Sequence, residues 1–233
     1  MTRPPQPGPP QPQVTIHAIG QEREPLAVLD RFSGSPDAFL EIGRRSHFQA
    51  AGAFYPGLRA PARPDLVDRR RDLVARVLEE VFGLRQPVVL EMLAYALVTT
   101  PPGDLAPLQA IPHYDAASEG VVAGMFYMMG PETGGTAFYR HRLTGYETIT
   151  AAREQAYRAA MAEDGRAFGS PPRAYHYGDT PRYEMIYEVE ARPDRLVLYR
   201  AKLLHSGVIP DPSLLSPDPA EGRMTMNMFF RGR

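Results

Sequence analysis

The sequence of 233 residues contains no cysteine, and this absence limits the chemistry that the protein can carry out. Disulfide frameworks and thiolate metal sites are excluded, so any bound metal must be held by nitrogen and oxygen ligands. The length fits one large domain or two small ones, and it is sufficient for a substantial buried core.

An excess of charge and a long apolar run are also missing. The 26 basic and 27 acidic residues give a formal net charge of -1, so there is no electrostatic reason to expect nucleic acid or a membrane surface as a partner. The longest apolar stretch begins near Val88, contains Glu91 and breaks at Pro101, which is short of the roughly 20 residues of a membrane-spanning helix. No apolar centre of a secretory signal follows Met1, and we expect a cytoplasmic protein.

Proline and glutamine dominate residues 1–13. Such a segment cannot bury apolar surface, so we expect a disordered tail here. The remaining residues, 14–233, are predicted to form a single domain, and no internal repeat is evident.

Helical signals dominate the N-terminal third. Ser35-Pro36-Asp37 predicts a helix start, with a capping serine, a proline where no N–H is needed and an acid near the positive end of the helix dipole. Apolar residues at helical spacing predict a second helix over about 65–82, with Gly83 as its C-terminal cap. Its arginines are interpreted as a solvated side: Arg69, Arg70, Arg71 and Arg76.

After Gly83 the pattern changes to short apolar segments bounded by turns, which is typical of strands. One helix is predicted among them, over about 147–164 and ending at Gly165. The combination predicts a mainly β, α+β protein in which a β-sandwich or jelly-roll core is supported by helices. The predicted strands are 88–99, 121–129, 136–141, 183–190, 196–199 and 224–230.

The segment Ile111-Pro112-His113-Tyr114-Asp115 carries the clearest chemical signal. In an extended chain His113 and Asp115 share one face and can reach the same metal ion, whereas Tyr114 points the opposite way. His205, which follows a predicted strand, is the candidate third ligand. Two histidines and one carboxylate form the facial triad that leaves positions on iron(II) for a co-substrate and O₂. For His-x-Asp alone, a surface histidine beside a solvated aspartate is the alternative interpretation.

The last predicted strand alternates polar and apolar side chains up to Phe229. An arginine and a threonine on one face can bind a carboxylate through a charge-assisted fork and a hydroxyl donor. The alternative is an edge strand with its polar face in water. Arg223, Thr225 and Asn227 form the polar face, and Met224, Met226 and Met228 form the apolar one.

Taken in order along the chain, these motifs resemble the 2-oxoglutarate/iron(II)-dependent oxygenases, especially their prolyl-hydroxylase-like branch. The segment Gly-Gly-Thr-Ala-Phe-Tyr-Arg-His-Arg also resembles a bacterial branch of this superfamily and implies no particular substrate. The gaps on either side of His205 are longer than in compact members, and we attribute them to an inserted helix and a proline-rich loop. The resemblance rests on an apolar strand with Tyr95, on Pro112-His113-Tyr114-Asp115, Gly134-Gly135-Thr136 and Arg192-Pro193-Asp194-Arg195, and on His205-Ser206-Gly207 and Gly222-Arg223-Met224-Thr225.

The resemblance implies a double-stranded β-helix over about 88–233, with iron(II) as the metal and 2-oxoglutarate as the co-substrate of a dioxygenase. His113, Asp115 and His205 would be the iron ligands. Arg223, helped by Thr225, would bind the distal carboxylate of 2-oxoglutarate. Tyr95 and Tyr127 are candidates for lining the co-substrate pocket, with plain core packing as the alternative for each.

The implied reaction is oxidation of a C–H bond, usually hydroxylation, in a peptide, an amino acid or a small metabolite. Two other function classes stay open. A β-helix protein could bind ligands without turnover, although it would have no need to retain all three ligands together with Arg223 and Thr225. A cupin-like metal enzyme could act without a keto acid, although its site would favour more histidines and would have no use for a carboxylate-binding arginine.

The remaining histidines receive no metal role. By strand alternation Tyr139 and His141 share a face, and His141 is interpreted as part of a solvated strand end, with contact to an acidic or polar substrate as the alternative. His176 lies in a Tyr-His-Tyr loop that could cover a pocket or lie on the surface. His17 is interpreted as incidental and His47 as exposed.

Overall fold

The computed structural model describes residues 11–52 and 54–233, which form two antiparallel β-sheets and four α-helices. The strands are β1 (Gln13–Ile19), β2 (Glu24–Asp30), β3 (Gln49–Ala50), β4 (Gly57–Pro61), β5 (Val89–Val98), β6 (Val121–Tyr127), β7 (Thr136–His141), β8 (Tyr183–Val189), β9 (Arg195–Arg200), β10 (His205–Gly207) and β11 (Met224–Arg231). The helices are α1 (Pro36–Arg44), α2 (Asp65–Asp68), α3 (Arg71–Glu80) and α4 (Glu154–Phe168). Short 3₁₀ turns occupy Pro102–Asp104, Pro107–Ala110, Pro131–Thr133 and Pro212–Leu214.

The larger sheet has eight strands in the order β1-β2-β9-β6-β11-β5-β4-β3, and the smaller sheet has the order β10-β7-β8. Isolated antiparallel bridges join His113 to His205 and Thr148 to Leu203 beside the smaller sheet. This arrangement confirms the prediction of a mainly β protein with helical support. Of the predicted strands, 136–141 agrees with β7 at both ends.

Strand β11 lies inside the larger sheet, because it pairs with β5 on one side and with β6 on the other. The interpretation of an edge strand with a wet polar face is therefore wrong. The methionines of β11 pack into an apolar core that helices α1 and α3 cover, together with Tyr95, Phe126 and Leu198. Opposite side chains of the same strand face the smaller sheet, so β11 separates the apolar core from the polar space described below.

The prediction of a mainly helical N-terminal third is wrong for residues 13–30, which form the β1–β2 hairpin. Strand β2 pairs with β9 and extends the larger sheet, and its apolar residues Leu26 and Leu29 are completely buried. A short apolar run cannot be assigned to helix or strand from periodicity alone, since both bury it. The pairing partner, far away in the sequence, decides the conformation here.

The helix at Ser35-Pro36-Asp37 does begin at Pro36, although the Ser35 side chain makes no capping hydrogen bond. The helix predicted over 65–82 is divided into α2 and α3. Arg70, beside the break, is part-buried and donates from Nε to the Phe32 carbonyl at 2.6 Å, so it is not a solvated arginine. Gly83 does follow α3 with a positive φ of 65°, as a C-terminal glycine should.

Helix α4 begins at Glu154 rather than near Glu147, and it ends at Phe168, with Gly169 rather than Gly165 as its C-cap. The cause is Glu147, which is 1% exposed and whose carboxylate accepts the backbone N–H groups of Gln21 and Glu22 at 2.9 Å. These bonds hold the segment before α4 against the β1–β2 turn. Glu147, which the sequence pattern places at a helix start, is therefore a buried residue that makes tertiary contacts.

Residues 1–10 of the predicted tail lie outside the described residues, whereas Gln13 already belongs to β1. The single domain over 14–233 stays a prediction. None of the helices in the described part of the chain combines the length and the apolar character that crossing a membrane requires.

Candidate metal centre

Three side chains converge at one end of the space between the sheets. His113 Nε2 lies 3.8 Å from Asp115 Oδ1, and His205 Nε2 lies 3.5 Å from Asp115 Oδ2. One ligand atom from each residue lies within 4.8 Å of the other two. The three residues that the sequence selected as ligands are thus close enough together to bind a single ion.

Backbone hydrogen bonds position these ligands. His113 and His205 exchange two bonds, from His113 N–H to His205 O at 2.9 Å and from His205 N–H to His113 O at 2.8 Å. The Asp115 N–H donates to Ala201 O at 2.8 Å. The segment predicted as a strand is thus an isolated bridge rather than a full strand, but its alternation holds: Tyr114 points away and donates to Glu154 Oε1 at 2.7 Å.

The second ring nitrogen of His205 determines which nitrogen is available to a metal. Nδ1 lies 2.9 Å from the carbonyl oxygen of Leu203, which can only accept, so Nδ1 carries the proton. Nε2 therefore presents its lone pair toward Asp115. A backbone carbonyl in this position is the usual support of a metal-binding histidine, because it fixes both the tautomer and the ring orientation.

His113 differs from His205 in its surroundings, since 53% of its side-chain surface is accessible and only 6% of that of His205 is. Although this side chain is partly accessible, desolvation by the surrounding protein, followed by the nearby His205 ring, lowers the pKa of His113 below its ordinary value. A neutral imidazole is the form that binds a metal. Two histidines and one carboxylate, with room beside them, fit non-haem iron(II) by the chemistry of the donor set.

A cavity extends from these ligands across the polar face of β11. Arg223 (8% exposed), Thr225 and Asn227 line it, as the alternation of the last strand predicts. Its other walls include these apolar and aromatic side chains: Phe54, Tyr55, Leu108, Tyr175, Tyr199 and Ile209.

The Arg223 guanidinium is held by the carbonyl groups of the turn before β7. Nε donates to Thr133 O at 2.6 Å, and Nη2 lies 3.3 Å from Gly134 O and 3.4 Å from Gly135 O. In this turn, Gly135 lies so close to the Val189 carbonyl that any side chain at position 135 would collide with it, so the position requires glycine. The bonds to described residues leave the N–H groups of Nη1 available to a ligand in the cavity.

Tyr95 lies on the wrong face of the sheet to line this cavity. It pairs with Met226 in the sheet register and is completely buried in the apolar core beneath α1. The prediction of a pocket-lining role for Tyr95 is therefore wrong, and core packing is correct. Tyr127 pairs with Thr225 on the cavity side, and its hydroxyl lies 2.6 Å from that of Thr136, which lines the cavity.

The interpretation of His141 as a solvated residue is also wrong. His141 has no exposed surface, and its Nε2 lies 2.8 Å from Asp164 Oδ2 while Nδ1 lies 2.9 Å from Thr144 Oγ1. His176 is 8% exposed, packs edge-on against Tyr139 at 4.7 Å, and does not line the cavity. His47 is exposed, as predicted.

Several cavity residues escaped the sequence interpretation. Arg59 of β4 and Tyr55 just before it reach the cavity because β4 pairs with β5. Tyr175, the neighbour of His176, lines the cavity and donates to Thr100 O at 2.6 Å. Tyr199 packs against the His205 ring at 4.9 Å. Of these, only Tyr175 lay in a segment that the sequence suggested for a pocket.

Both the sequence and the fold of this chain have similarities to known proteins. The model of a family described as a family of unknown function, DUF6445, matches residues 10–230. No match to a curated protein was found. One similar solved structure is that of the epimerase SnoN in complex with Fe3+, alpha ketoglutarate and nogalamycin RO. The two sequences are 16% identical, and the match covers 90% of this chain and 80% of SnoN. The TM-score of 0.51 shows that the two share a fold. HygX from Streptomyces hygroscopicus, with nickel and 2-oxoglutarate bound, is 17% identical over 89% and 82%, with a TM-score of 0.47.

Proposed function

For this chain, which belongs to the DUF6445 family of unknown function, we propose the activity of a non-haem iron(II)/2-oxoglutarate-dependent dioxygenase. One observation carries the proposal. A single cavity contains a cluster of two histidines and one carboxylate together with Arg223 and Thr225, which are of the types that bind a dicarboxylate co-substrate.

His113, Asp115 and His205 would hold the iron. When bound with 2-oxoglutarate, iron(II) supplies the O₂ activation needed to oxidise a C–H bond. The residues themselves provide a fixed set of ligand atoms: the Leu203 carbonyl orients His205, and the Ala201 carbonyl holds the backbone of Asp115. Because the ligands are already in position, little reorganisation accompanies metal binding.

Arg223 would bind the distal carboxylate of 2-oxoglutarate. Three backbone carbonyls position its guanidinium, and the free N–H groups of Nη1 can donate to a carboxylate oxygen. The Thr225 hydroxyl, at present 3.1 Å from Asn227 Oδ1, can turn to donate to the same group. Burial strengthens both bonds, since less water competes for the carboxylate.

The fold supports this proposal independently of the side chains. Two facing antiparallel sheets with the ligands at one end fit a double-stranded β-helix, and SnoN, which has the same fold, was solved with Fe3+ and alpha ketoglutarate. The open cavity between Tyr55, Leu108 and Tyr175 suits a small-molecule or peptide substrate. We infer hydroxylation of that substrate at a C–H bond.

An anaerobic titration tests this proposal. Iron(II) and then 2-oxoglutarate are added to the protein, and the weak visible charge-transfer band of the keto acid chelate is followed. We expect the wild type to form the band. Arg223→Gln should weaken 2-oxoglutarate binding by about 10-fold to 100-fold, because a charge-assisted bond is lost. Arg63→Gln, at an exposed arginine paired with Asp65, is the matched control and should leave binding unchanged.

Each contrary result points to one of the other function classes. Metal binding without a band at any concentration of 2-oxoglutarate would remove the keto acid and favour a cupin-like metal enzyme. No binding of iron(II) would leave a β-sheet binding protein without this chemistry.

A further inference from the structure

A second arginine faces the cavity that contains the proposed metal ligands. Arg59 lies on β4, opposite Ala96 of β5, and lines this cavity with Arg223 and Asp115. It is not part of the metal cluster, and neither the metal nor 2-oxoglutarate requires it. A cation facing such a cavity without an assigned partner calls for an explanation.

The contacts of Arg59 leave its hydrogen-bonding edge free. Its guanidinium carbon lies 4.4 Å above the centre of the Tyr55 ring, a contact that uses the face of the group and not its N–H donors. Its Nε is completely buried and has no hydrogen-bond partner among residues 11–52 and 54–233. Within the same ranges, no carboxylate forms an ion pair with Arg59. A buried donor without a partner is costly, so a ligand is expected to satisfy it.

Arg223, which lines the same cavity, differs from Arg59 because its guanidinium already has hydrogen-bond partners. Backbone carbonyls accept from its Nε and Nη2, so its position and its remaining donors are already determined. Both arginines line the cavity with Tyr55: burial raises the pKa of Tyr55, and the charges of Arg223 and Arg59 oppose that rise. The two arginines therefore form one positive region beside Tyr55.

The charges of the cavity indicate what Arg59 binds. Among the residues that line the cavity, the charged groups are Arg59, Arg223 and a single acid, Asp115. With iron(II) and neutral histidines the site would carry three positive charges, and the two negative charges of 2-oxoglutarate would leave one positive charge. A substrate with one negative charge would balance the site, and an enclosed charge without a partner is unfavourable.

From these observations we propose that Arg59 binds a carboxylate of the primary substrate, so that the enzyme oxidises a monoanionic carboxylic acid. The planar fork of arginine matches the two oxygens of a carboxylate, whereas a phosphate ester would bring a charge close to two. The apolar body of the substrate would lie against Leu108, Ile209 and Tyr175. This inference rests on the proposed function for its charge balance.

A matched pair of probes tests the proposal: 4-phenylbutyrate and its neutral amide, with phenyl phosphate as a third compound. Isothermal titration measures their binding to the nickel-loaded protein with saturating 2-oxoglutarate. We expect the acid to bind about 10-fold or more tightly than the amide, as a charge-assisted fork predicts. Arg59→Gln should abolish this preference by weakening binding of the acid, and Arg59→Lys, which keeps the charge but not the fork, should retain part of it.

Two controls separate the possible failures. Arg63→Gln changes an exposed arginine outside the cavity and should keep the preference for the acid. The affinity for 2-oxoglutarate, measured without any probe, should fall in Arg223→Gln and not in Arg59→Gln. Circular dichroism and the melting temperature establish that each variant is folded.

Three results would overturn the proposal. Equal binding of acid and amide to the wild type would mean that the cavity does not recognise an anion. Tighter binding of phenyl phosphate than of the acid would replace the carboxylate by a phosphate. An equal loss of 2-oxoglutarate affinity in both arginine variants would assign Arg59 to the co-substrate. If 2-oxoglutarate does not bind at all, the proposed function fails, and the ratio of acid to amide on the nickel-loaded protein still tests Arg59.

Discussion

Within residues 11–52 and 54–233, two clusters combine histidine with a carboxylate, and they differ in what the histidine nitrogen atoms contact. In the first, His113, Asp115 and His205 face a cavity, and each histidine directs Nε2 toward Asp115 at more than 3.4 Å. In the second, His141 has no exposed surface and hydrogen-bonds Asp164 at 2.8 Å. The comparison teaches that a histidine beside an acid is a candidate ligand only where a nitrogen remains free and space remains beside it.

Neighbouring polar and aromatic side chains complete the second cluster. Thr144 lies 2.9 Å from the other ring nitrogen of His141, so both nitrogens are used. The rings of Tyr157 and Tyr183 pack against the imidazole, with centroids at 5.1 and 5.3 Å. This cluster fastens α4 to β7, since Asp164 lies on the helix and His141 on the strand.

The largest expected effect is a loss of metal affinity at the first cluster. His205→Ala removes one of the three proposed ligands and should weaken binding of cobalt(II) or iron(II) by about a thousandfold, equivalent to about 4 kcal/mol. Isothermal titration under anaerobic conditions measures the change. A denaturant titration of the metal-free variant serves as the control for folding. Metal affinity within a few-fold of the wild type would mean that His205 is not a ligand.

The next effect concerns the second cluster and is a loss of stability rather than of binding. His141→Ala leaves Asp164 and Thr144 without their partner in a buried place and creates a cavity. We expect the free energy of unfolding to fall by about 3 kcal/mol, with metal affinity unchanged. Urea unfolding of the metal-free protein measures it, and His47→Ala, at an exposed histidine, should change stability by less than about 0.5 kcal/mol. A loss of metal affinity in His141→Ala would break the distinction between the clusters.

The smallest effect depends on pH and involves His176, which is buried without an acid beside it. Burial lowers the pKa of His176 to about 4, whereas a histidine of the unfolded chain titrates near pH 6.5. Between about pH 6.5 and pH 4 the unfolded state binds a proton that the folded state does not, so stability falls as the pH falls. Above this window the neutral ring imposes no such loss.

Paired unfolding experiments isolate this contribution. The free energy of unfolding of the wild type and of His176→Phe is measured at pH 7.5 and pH 5.0. We expect the wild type to lose more stability than the variant, by at most about 1.4 kcal/mol per pH unit. Equal losses would show that His176 titrates in the folded protein as it does in the unfolded chain, so that burial does not lower its pKa.

Sequence interpretation succeeded where local geometry was sufficient. Alternation along an extended chain correctly predicted that His113 and Asp115 share a face. It also correctly predicted that Arg223, just before β11, and Thr225 lie opposite the methionines of that strand. Each of these statements concerns neighbours in the chain. The metal role of the three residues stays a prediction until binding is measured.

The sequence pattern gave wrong predictions where both faces of a strand are buried. The inner half of β5 is apolar on both sides, so the pattern did not reveal that Tyr95 faces the helices while Val98 faces the cavity. His141 was misjudged because a buried histidine with polar partners looks, in the sequence, like a solvated one. Arg59 was missed because nothing near it in the sequence indicates a site.

By itself the sequence determined the ligand types, the absence of thiolate chemistry and the alternation that gives β11 one polar and one apolar face, because these depend on composition and on the geometry of consecutive residues. Only the tertiary structure decided that His205 meets His113 across an isolated bridge, that Arg59 shares a cavity with Arg223, and that His141 is sealed against Asp164. The physical reason is that each of these contacts joins segments brought together by sheet pairing and core packing, and the register of that pairing is a property of the whole fold.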